Sequence, residues 1–296
     1  MPYTATPARS HARTQQFPYV VVLGRFREGT MARDHDHQPG PRPAAGAPQP
    51  PRQPRARRRL TAATLALGAL TAVLYTAVPA PPAEAAGKPL GHDISSHQGA
   101  VDWRDVRAKG GRFVYVKATE SNWYRNPHFS GQYRGARKAG LLRGAYHFGV
   151  PNASSGAAQA RHFLRHSGGW RPDGRTLPPA LDIEHNPYNS GRACFGMSRA
   201  ALVRWIRGFS NEVLRQTGRR PVIYTTARWW NGCTGGSRAF AATHPLWLAN
   251  WHSTPGKLPA GWAYPSFWQY ANHGALPGDQ NKWNGTAAQL RRFARG

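Results

Sequence analysis

Four carboxylates in the later part of this chain have the types and spacing needed for acid–base chemistry. Asp182 and Glu184 are two residues apart in PALDIEHN, Asp93 lies in GHDISSHQ, and Asp279 lies in GDQNKWNG. Side chains two residues apart in a strand point to the same side, which sets Asp182 and Glu184 roughly 6.5–7 Å apart along the backbone. In a partly buried cleft their repulsion raises one pKa and leaves a proton available near neutral pH.

The segments that must position these groups are short, apolar and rich in Val, Ile, Tyr and Trp. They recur as HDISSHQ, RFVYVKATES, LRGAYHFGV, PALDIEHN, RPVIYTTARWW, PLWLANWH and PSFWQYA. Helical periodicity separates several of them, most clearly over 157–166 and 199–217. Alternating strands and helices predict a largely parallel sheet. Seven or eight strands in this length predict one compact α/β domain, a (β/α) barrel with some helices shortened or missing.

In such a barrel the C-terminal strand ends meet on one face, where catalytic groups are found. Asp93, Asp182 and Glu184 end predicted strands, and Asp279 follows the last one, so all four are expected at one opening. A proton donor beside a second carboxylate is the chemistry of glycoside hydrolysis. The alternative is that they are strand-end caps or partners of the many arginines. Convergence of all four favours catalysis.

Aromatic side chains are expected at the same strand ends. Large, rigid rings stack on the apolar faces of sugars, and ordinary barrel packing is the alternative for each of them. The aromatic residues concerned are Tyr146, Phe148, Tyr224, Trp251, Trp268 and Tyr270. His147 and His185 also end strands but have no second ligand at a metal-binding spacing, so we predict no metal and no cofactor.

The charge of the chain is extreme, at a formal +27. Residues 87–296 alone hold 29 Lys+Arg and 9 Asp+Glu, a difference of +20. Such a balance indicates a polyanionic partner: nucleic acid, an anionic membrane, or a wall with teichoic acids and peptide carboxylates. Because no nucleic-acid-binding module is recognisable, we expect no nucleic-acid partner.

The beginning of the chain differs in composition from the rest. Residues 1–59 are rich in Pro, Arg, Ala and His without periodicity, which predicts a disordered basic extension. An uncharged stretch over 60–78 follows three arginines and precedes Ala-Glu-Ala at 83–85, which predicts a signal peptide over 60–86. The alternative is a membrane anchor, since about 19 apolar residues can just span a bilayer.

Cleavage of that signal would release one domain over 87–296 to the extracellular space, with no stable membrane association. In an exported protein Cys194 and Cys233 are expected to form a disulfide, whereas two unrelated buried thiols are the alternative.

Several motifs, taken in order from about Gly91 to the C-terminus, resemble the lysozymes of glycoside hydrolase family 25. They are HDISSHQGAVDW, VYVKATES with WYRNPHF, GAYHF, ALDIEHN, VIYT, LWLANW, FWQY and GDQNKWNG. The resemblance implies a flattened, incomplete TIM-like barrel of β5α3 type. It also implies hydrolysis of the β-1,4 bond between N-acetylmuramic acid and N-acetylglucosamine in bacterial peptidoglycan.

The resemblance also implies residue roles. Glu184 corresponds to the general acid and Asp182 to its assisting carboxylate, with Asp93 and Asp279 as further acidic groups. Retention assisted by the substrate's 2-acetamido group is the implied mechanism, and inversion stays open. Groove residues are expected at Lys117, Tyr124, Tyr146, Phe148, Tyr224, Trp251 and Gln269.

Ser121 stands where the family commonly has glycine, which predicts an altered loop beside the groove. We expect a monomer that acts on the anionic wall. A chitinase-like glycosidase and a non-catalytic peptidoglycan-binding protein stay open as alternatives.

Overall fold

The computed structural model describes residues 87–296. The extension predicted over 1–59 and the signal peptide predicted over 60–86 lie outside the described residues. Within 87–296, no helix combines the length and apolar character needed to cross a membrane.

Nine strands of the described chain form a single sheet. They are β1 (Leu90–Ile94), β2 (Gly111–Glu120), β3 (Tyr124–Arg125), β4 (Leu142–Phe148), β5 (Ala180–Asp182), β6 (Val222–Thr225), β7 (Leu246–Ala249), β8 (Phe267–Ala271) and β9 (Asp279–Trp283). Eight of them close a barrel in the order β1-β9-β8-β7-β6-β5-β4-β2, because β1 pairs with both β9 and β2. The short β3 pairs with β2 outside this ring.

All neighbours in the ring run parallel except β9, which is antiparallel to β8 and β1. The prediction that GDQNKWNG follows the last strand is therefore wrong, because this segment is itself β9. After β8 the chain turns back in a hairpin, and β9 pairs antiparallel beside β8 in the barrel wall. Since β9 runs in the opposite direction, its first residue, Asp279, lies at the same end as the C-termini of the parallel strands.

Within residues 87–296, six α-helices accompany the sheet: α1 (Trp103–Ala108), α2 (Phe129–Lys138), α3 (Gly156–His166), α4 (Arg199–Thr217), α5 (Ala227–Cys233) and α6 (Ala287–Phe293). The helices predicted over 157–166 and 199–217 are confirmed as α3 and α4. Among the described residues no helix links β7 to β8. The α/β barrel is thus incomplete in its helices, as predicted, while its sheet is closed.

Two apolar layers follow from the alternation of side chains along the strands. The outer layer lies between the sheet and the helices and includes Leu181 and Ile183 of the β5 segment with Phe209 of α4. The inner layer fills the barrel, where Trp247 stacks on Tyr115 at a centroid distance of 4.7 Å. This inner aromatic layer supports the polar residues at the open end of the barrel.

Candidate active site

The β5 segment presents Asp182 and Glu184 on the same side of the chain. Leu181 and Ile183 are fully buried in the outer layer, and Ala180 belongs to the inner layer. Extended pairing continues past the strand, because the Ile183 N–H donates to the carbonyl of Tyr224 at 3.0 Å. The alternation predicted from the D-x-E spacing therefore places both carboxylates toward the barrel opening.

Glu184 lies at the edge of a cleft of about 720 Å³ at this end of the barrel. Its side chain is 23% exposed, and its Oε2 lies 3.7 Å from Nδ1 of His185. Burial raises the pKa of Glu184, while His185 and Lys117 act in the opposite direction and Asp279 adds to the rise. A carboxyl that is partly open to a cleft and has a raised pKa can deliver a proton to a bound molecule.

Asp182 is buried deeper and has no hydrogen-bond partner for its carboxyl group among the described residues. Its Oδ1 is fully enclosed and unpaired. Burial, and then the charge of Glu184, hold the pKa of Asp182 well above its usual range. An unpaired buried carboxyl is costly, so the carboxyl group of Asp182 is an acceptor that a donor from a bound molecule can satisfy.

Asp93 and Asp279 form a second carboxyl pair. They are direct cross-strand partners in the antiparallel pairing of β1 and β9. Gly278 allows this close approach: its φ is +77°, and a β-carbon there would collide with the carbonyl oxygen of Asp93. Burial, with the charge of Asp279 second, raises the pKa of Asp93 to about 8. Burial also raises the pKa of Asp279.

Gln269 of β8 connects this pair to the rest of the opening. Its Nε2 donates to Oδ2 of Asp93 at 2.9 Å and to Oδ2 of Asp279 at 3.1 Å. Its Oε1 accepts from the Tyr224 hydroxyl at 3.0 Å and from the Trp251 indole at 2.8 Å. With only 1% of its surface exposed, Gln269 lies beneath the groove, and its carboxamide is occupied by these four bonds.

The remaining predicted groove residues lie around the same opening. Lys117 Nζ bonds Glu120 at 2.5 Å and lies 4.9 Å above the ring of Phe148 and 5.6 Å from that of Tyr124. The Tyr124 hydroxyl donates to Ser96 Oγ at 2.8 Å.

Two buried tyrosines and an exposed tryptophan complete the predicted set. Burial raises the pKa of Tyr146 and of Tyr224 well above the usual range for tyrosine. Tyr146 has no hydrogen bond from its hydroxyl to another described residue, whereas Tyr224 bonds Gln269. Trp251 lines the cleft and is 53% exposed.

The sequence analysis missed three residues at this end. Trp123 follows β2 and is 60% exposed, and Tyr188 follows β5 and is 44% exposed. Trp123 begins the motif WYRNPHF and Tyr188 lies just beyond PALDIEHN, so their position after a strand end was the available signal. Asn281, two residues after Asp279, donates to Asp93 Oδ2 at 2.7 Å and accepts from Trp247 at 2.6 Å. It was missed because β9 was not predicted.

Two other predictions have clear structural outcomes. Cys194 and Cys233 are joined by a disulfide, as expected. Ser121 adopts a φ of +50°, in the left-handed region that favours glycine. This conformation suits glycine, and the chain accommodates a fully buried serine in it.

His147 faces away from the opening. It bonds Thr119 and Gln159 and stacks on Phe209 in the outer layer. Within 87–296 no group of three or more His, Cys, Asp or Glu is arranged to hold a metal ion.

Comparison with known proteins identifies the family to which this chain belongs. The model of "Glycosyl hydrolases family 25" matches residues 92–279. Lysozyme M1 of Streptomyces globisporus is 46% identical over 214 residues, which cover 71% of this chain and 72% of that protein. The N,O-diacetylmuramidase of Chalaropsis sp is 46% identical over 210 residues, or 70% of this chain and 99% of that protein.

A solved structure gives the same result for the fold. The muramidase from Acremonium alcalophilum matches with a TM-score of 0.68 and 50% identity, over 70% of this chain and 99% of that one. The family match over 92–279 includes all four carboxylates. The chain therefore belongs to glycosyl hydrolase family 25 and is a glycoside hydrolase.

Proposed function

We propose that this protein is a secreted lysozyme that hydrolyses the β-1,4 bond between N-acetylmuramic acid and N-acetylglucosamine in bacterial peptidoglycan. The observation that carries the proposal is the pair of carboxyls, differently exposed, that the β5 segment presents. Glu184 is partly exposed with a raised pKa, and Asp182 is buried with no donor among the described residues. The relatives named lysozyme and muramidase support the same reaction.

Glu184 acts as general acid in this proposal. Its proton passes to the glycosidic oxygen as the bond to the anomeric carbon breaks, and the leaving sugar departs as an alcohol. The acetamido oxygen of the remaining sugar closes on the anomeric carbon to give a cyclic intermediate. Water then opens it, losing a proton to Glu184, and the product retains its configuration.

Asp182 assists by accepting a hydrogen bond from the acetamido N–H. That bond supplies the donor which the protein itself does not provide, and a hydrogen bond to the ionised carboxyl favours that form against the effect of burial. The charge of Asp182 then stabilises the positive charge that develops on the acetamido group.

The other carboxyls and the groove residues bind and position the glycan. Asp93 and Asp279 form the polar floor of the cleft, and Gln269 fixes their positions. The aromatic surface of Trp251 stacks on a sugar ring, and the free hydroxyl of Tyr146 hydrogen-bonds the substrate. Lys117, Tyr124, Phe148 and Tyr224 form the neighbouring walls.

The proposal includes export through a signal peptide over 60–86, action as an extracellular monomer, and no nucleic-acid partner or lasting membrane association. N-terminal sequencing of the protein recovered from the medium tests the cleavage. Size-exclusion chromatography with light scattering gives the mass in solution and tests whether the protein is a monomer.

Product analysis tests the activity itself. The purified protein is incubated with peptidoglycan, before and after removal of O-acetyl groups, and with chitin. The products are reduced with borohydride and identified by mass spectrometry. Muramitol ends released from peptidoglycan support the proposal. Glucosaminitol ends, or faster release from chitin, would replace it with a glucosaminidase or a chitinase-like enzyme.

A further inference from the structure

The end of the barrel opposite the cleft carries a concentration of arginine. The chain reaches this end at the start of each parallel strand and at the end of β9. Three segments meet there: the loop before β5, the turn before β6, and α6 with the C-terminus. They contribute seven arginines, of which Arg220 bonds Ser210 and Asn211 of α4. The other six are called here the arginine face: Arg171, Arg175, Arg219, Arg291, Arg292 and Arg295.

Contacts between the segments make this one surface. The point that a β-carbon on Gly174 would occupy lies 3.1 Å from Nε of Arg295. The guanidinium of Arg219 lies 5.3 Å from the ring centroid of Phe293 and donates to the Phe293 carbonyl at 3.5 Å. The loop before β5 and the turn before β6 therefore both pack on α6 and its C-terminal continuation.

The positive charge of this face is not neutralised within the described chain. None of the six arginines forms an ion pair with another residue of 87–296. The acidic residue of these segments is Asp173, and its carboxylate accepts bonds from the backbone N–H groups of Arg175 and Thr176 and from the Thr176 hydroxyl.

A buried guanidinium adds to the same end. Arg143, which is 8% exposed, donates to the carbonyl of Arg175 at 3.4 Å, and its Nε has no partner among the described residues. The four carboxylates of the cleft lie at the opposite end of the barrel. The domain is thus polarised, with four carboxyl groups around the cleft and arginines without ion pairs around the other end.

We propose that the arginine face binds a phosphate-bearing anionic polymer carried by the cell wall. Guanidinium groups donate two parallel hydrogen bonds to a phosphate. Five of the six arginines are exposed, and the six are spread over three segments. This arrangement suits a chain of repeated charges better than a single enclosed ion. Because the face is opposite the cleft, polymer binding leaves the cleft free for glycan. The inference rests on the proposed function in taking the polymer and the glycan to belong to one wall.

Binding to sedimented walls tests the proposal without turnover. The full chain carrying Glu184→Gln is compared with the same chain carrying Arg291→Glu, Arg292→Glu and Arg295→Glu as well. A matched control reverses three exposed cations of α2 instead, as Arg134→Glu, Arg137→Glu and Lys138→Glu. The walls are used intact or after hydrofluoric acid has removed the phosphate polymer and left the peptide carboxylates.

We expect the α6 variant to bind intact walls about tenfold or more weakly and the α2 variant to change about twofold or less, because the α2 cations do not belong to the three segments that form the face. Stripped walls should bind all three proteins equally weakly. Soluble poly(glycerol phosphate) should release the parent from intact walls. Unchanged thermal unfolding midpoints show that the variants fold.

Three results would overturn the inference. Undiminished binding to stripped walls would assign the interaction to the peptide carboxylates or the glycan. Equal losses in the α6 and α2 variants would show that net charge acts without a defined face. Release by duplex DNA at lower phosphate concentration than poly(glycerol phosphate) would make the face a nucleic-acid site. Because no hydrolysis is measured, failure of the proposed reaction would leave these readouts intact.

Discussion

Asp93 and Asp279 lie opposite each other across the β1–β9 pairing, and Gln269 donates one hydrogen bond to each of their carboxyl groups. The same glutamine accepts bonds from Tyr224 and Trp251. A single carboxamide therefore links the acidic floor of the cleft to its aromatic wall. Because Gln269 donates to both carboxyl groups, the protonation of Asp93 and Asp279 is coupled to the stability of the open end.

The first prediction concerns the pH dependence of stability. The pKa of Asp93 rises from an ordinary 3.8 to about 8 in the folded protein. Between these values the native state holds more protons than the unfolded chain, so this group lowers the free energy of unfolding as pH rises through that window. Asp93→Asn should therefore be more stable than the wild type by about 1–3 kcal/mol at pH 8, and the difference should vanish near pH 4.

Urea unfolding at the two pH values measures this difference. The replacement amide still offers an oxygen to Gln269 and Asn281. Asp105→Asn, on the surface of α1, serves as the control. A variant that is less stable than the wild type at pH 8 would show that the charge of Asp93 stabilises the fold.

Gln269 is expected to act through its neighbours. Gln269→Met keeps the size of the side chain but removes all four hydrogen bonds, and kcat/KM should fall by about 10–100-fold, as when a residue that orients catalytic groups is lost. Gln269→Glu puts a third carboxyl against Asp93 and Asp279. Its activity relative to the wild type should recover as pH falls and a proton is bound. If Gln269→Glu and the wild type had parallel pH profiles, Gln269 would contribute through packing alone.

Asp182 is predicted to matter only where the substrate has an acetamido group. Asp182→Asn should lower kcat on fully N-acetylated glycan by about 10²–10³-fold, the cost of losing one charge-stabilising partner. Glycan that is N-deacetylated at muramic acid should be cut poorly by the wild type, and the variant should lose little more on it, because both changes remove the same interaction. Multiplicative losses would mean that Asp182 acts elsewhere.

The disulfide is expected to be a substantial part of the stability of the domain. Cys194 and Cys233 close a loop of 39 residues that contains all of α4. Replacing both with serine should lower the free energy of unfolding by roughly 2–4 kcal/mol. Denaturant unfolding with and without reductant measures the loss. A reductant effect in the double variant would reveal a cause other than this bond.

Much of the barrel could be predicted from sequence because its strands are apolar and evenly punctuated. Seven strand segments and the helices α3 and α4 were found in this way. β9 was missed because DQNKW is polar, and its polarity has a structural cause: Asp279 and Asn281 supply the hydrogen bonds of the cleft floor rather than core packing.

The candidate site was likewise predictable only in part. Strand ends predicted the convergence of Asp93, Asp182 and Glu184, since parallel strands share one edge. Which groups are hydrogen-bonded and which are left unpaired could not be predicted, because Gln269 contacts residues 10 to 176 positions away. Ser121 was noticed by resemblance, whereas its positive φ is visible only in the fold.

The most direct test of the central claim, that Glu184 is the general acid, varies the leaving group. Glu184→Gln and the wild type are compared on peptidoglycan and on a dinitrophenyl β-glycoside of the same sugars, whose leaving group needs no proton. We expect a loss in kcat/KM of about 10³-fold or more on peptidoglycan and of about tenfold or less on the activated glycoside. Equal losses on both substrates would contradict the assignment of Glu184 as the proton donor.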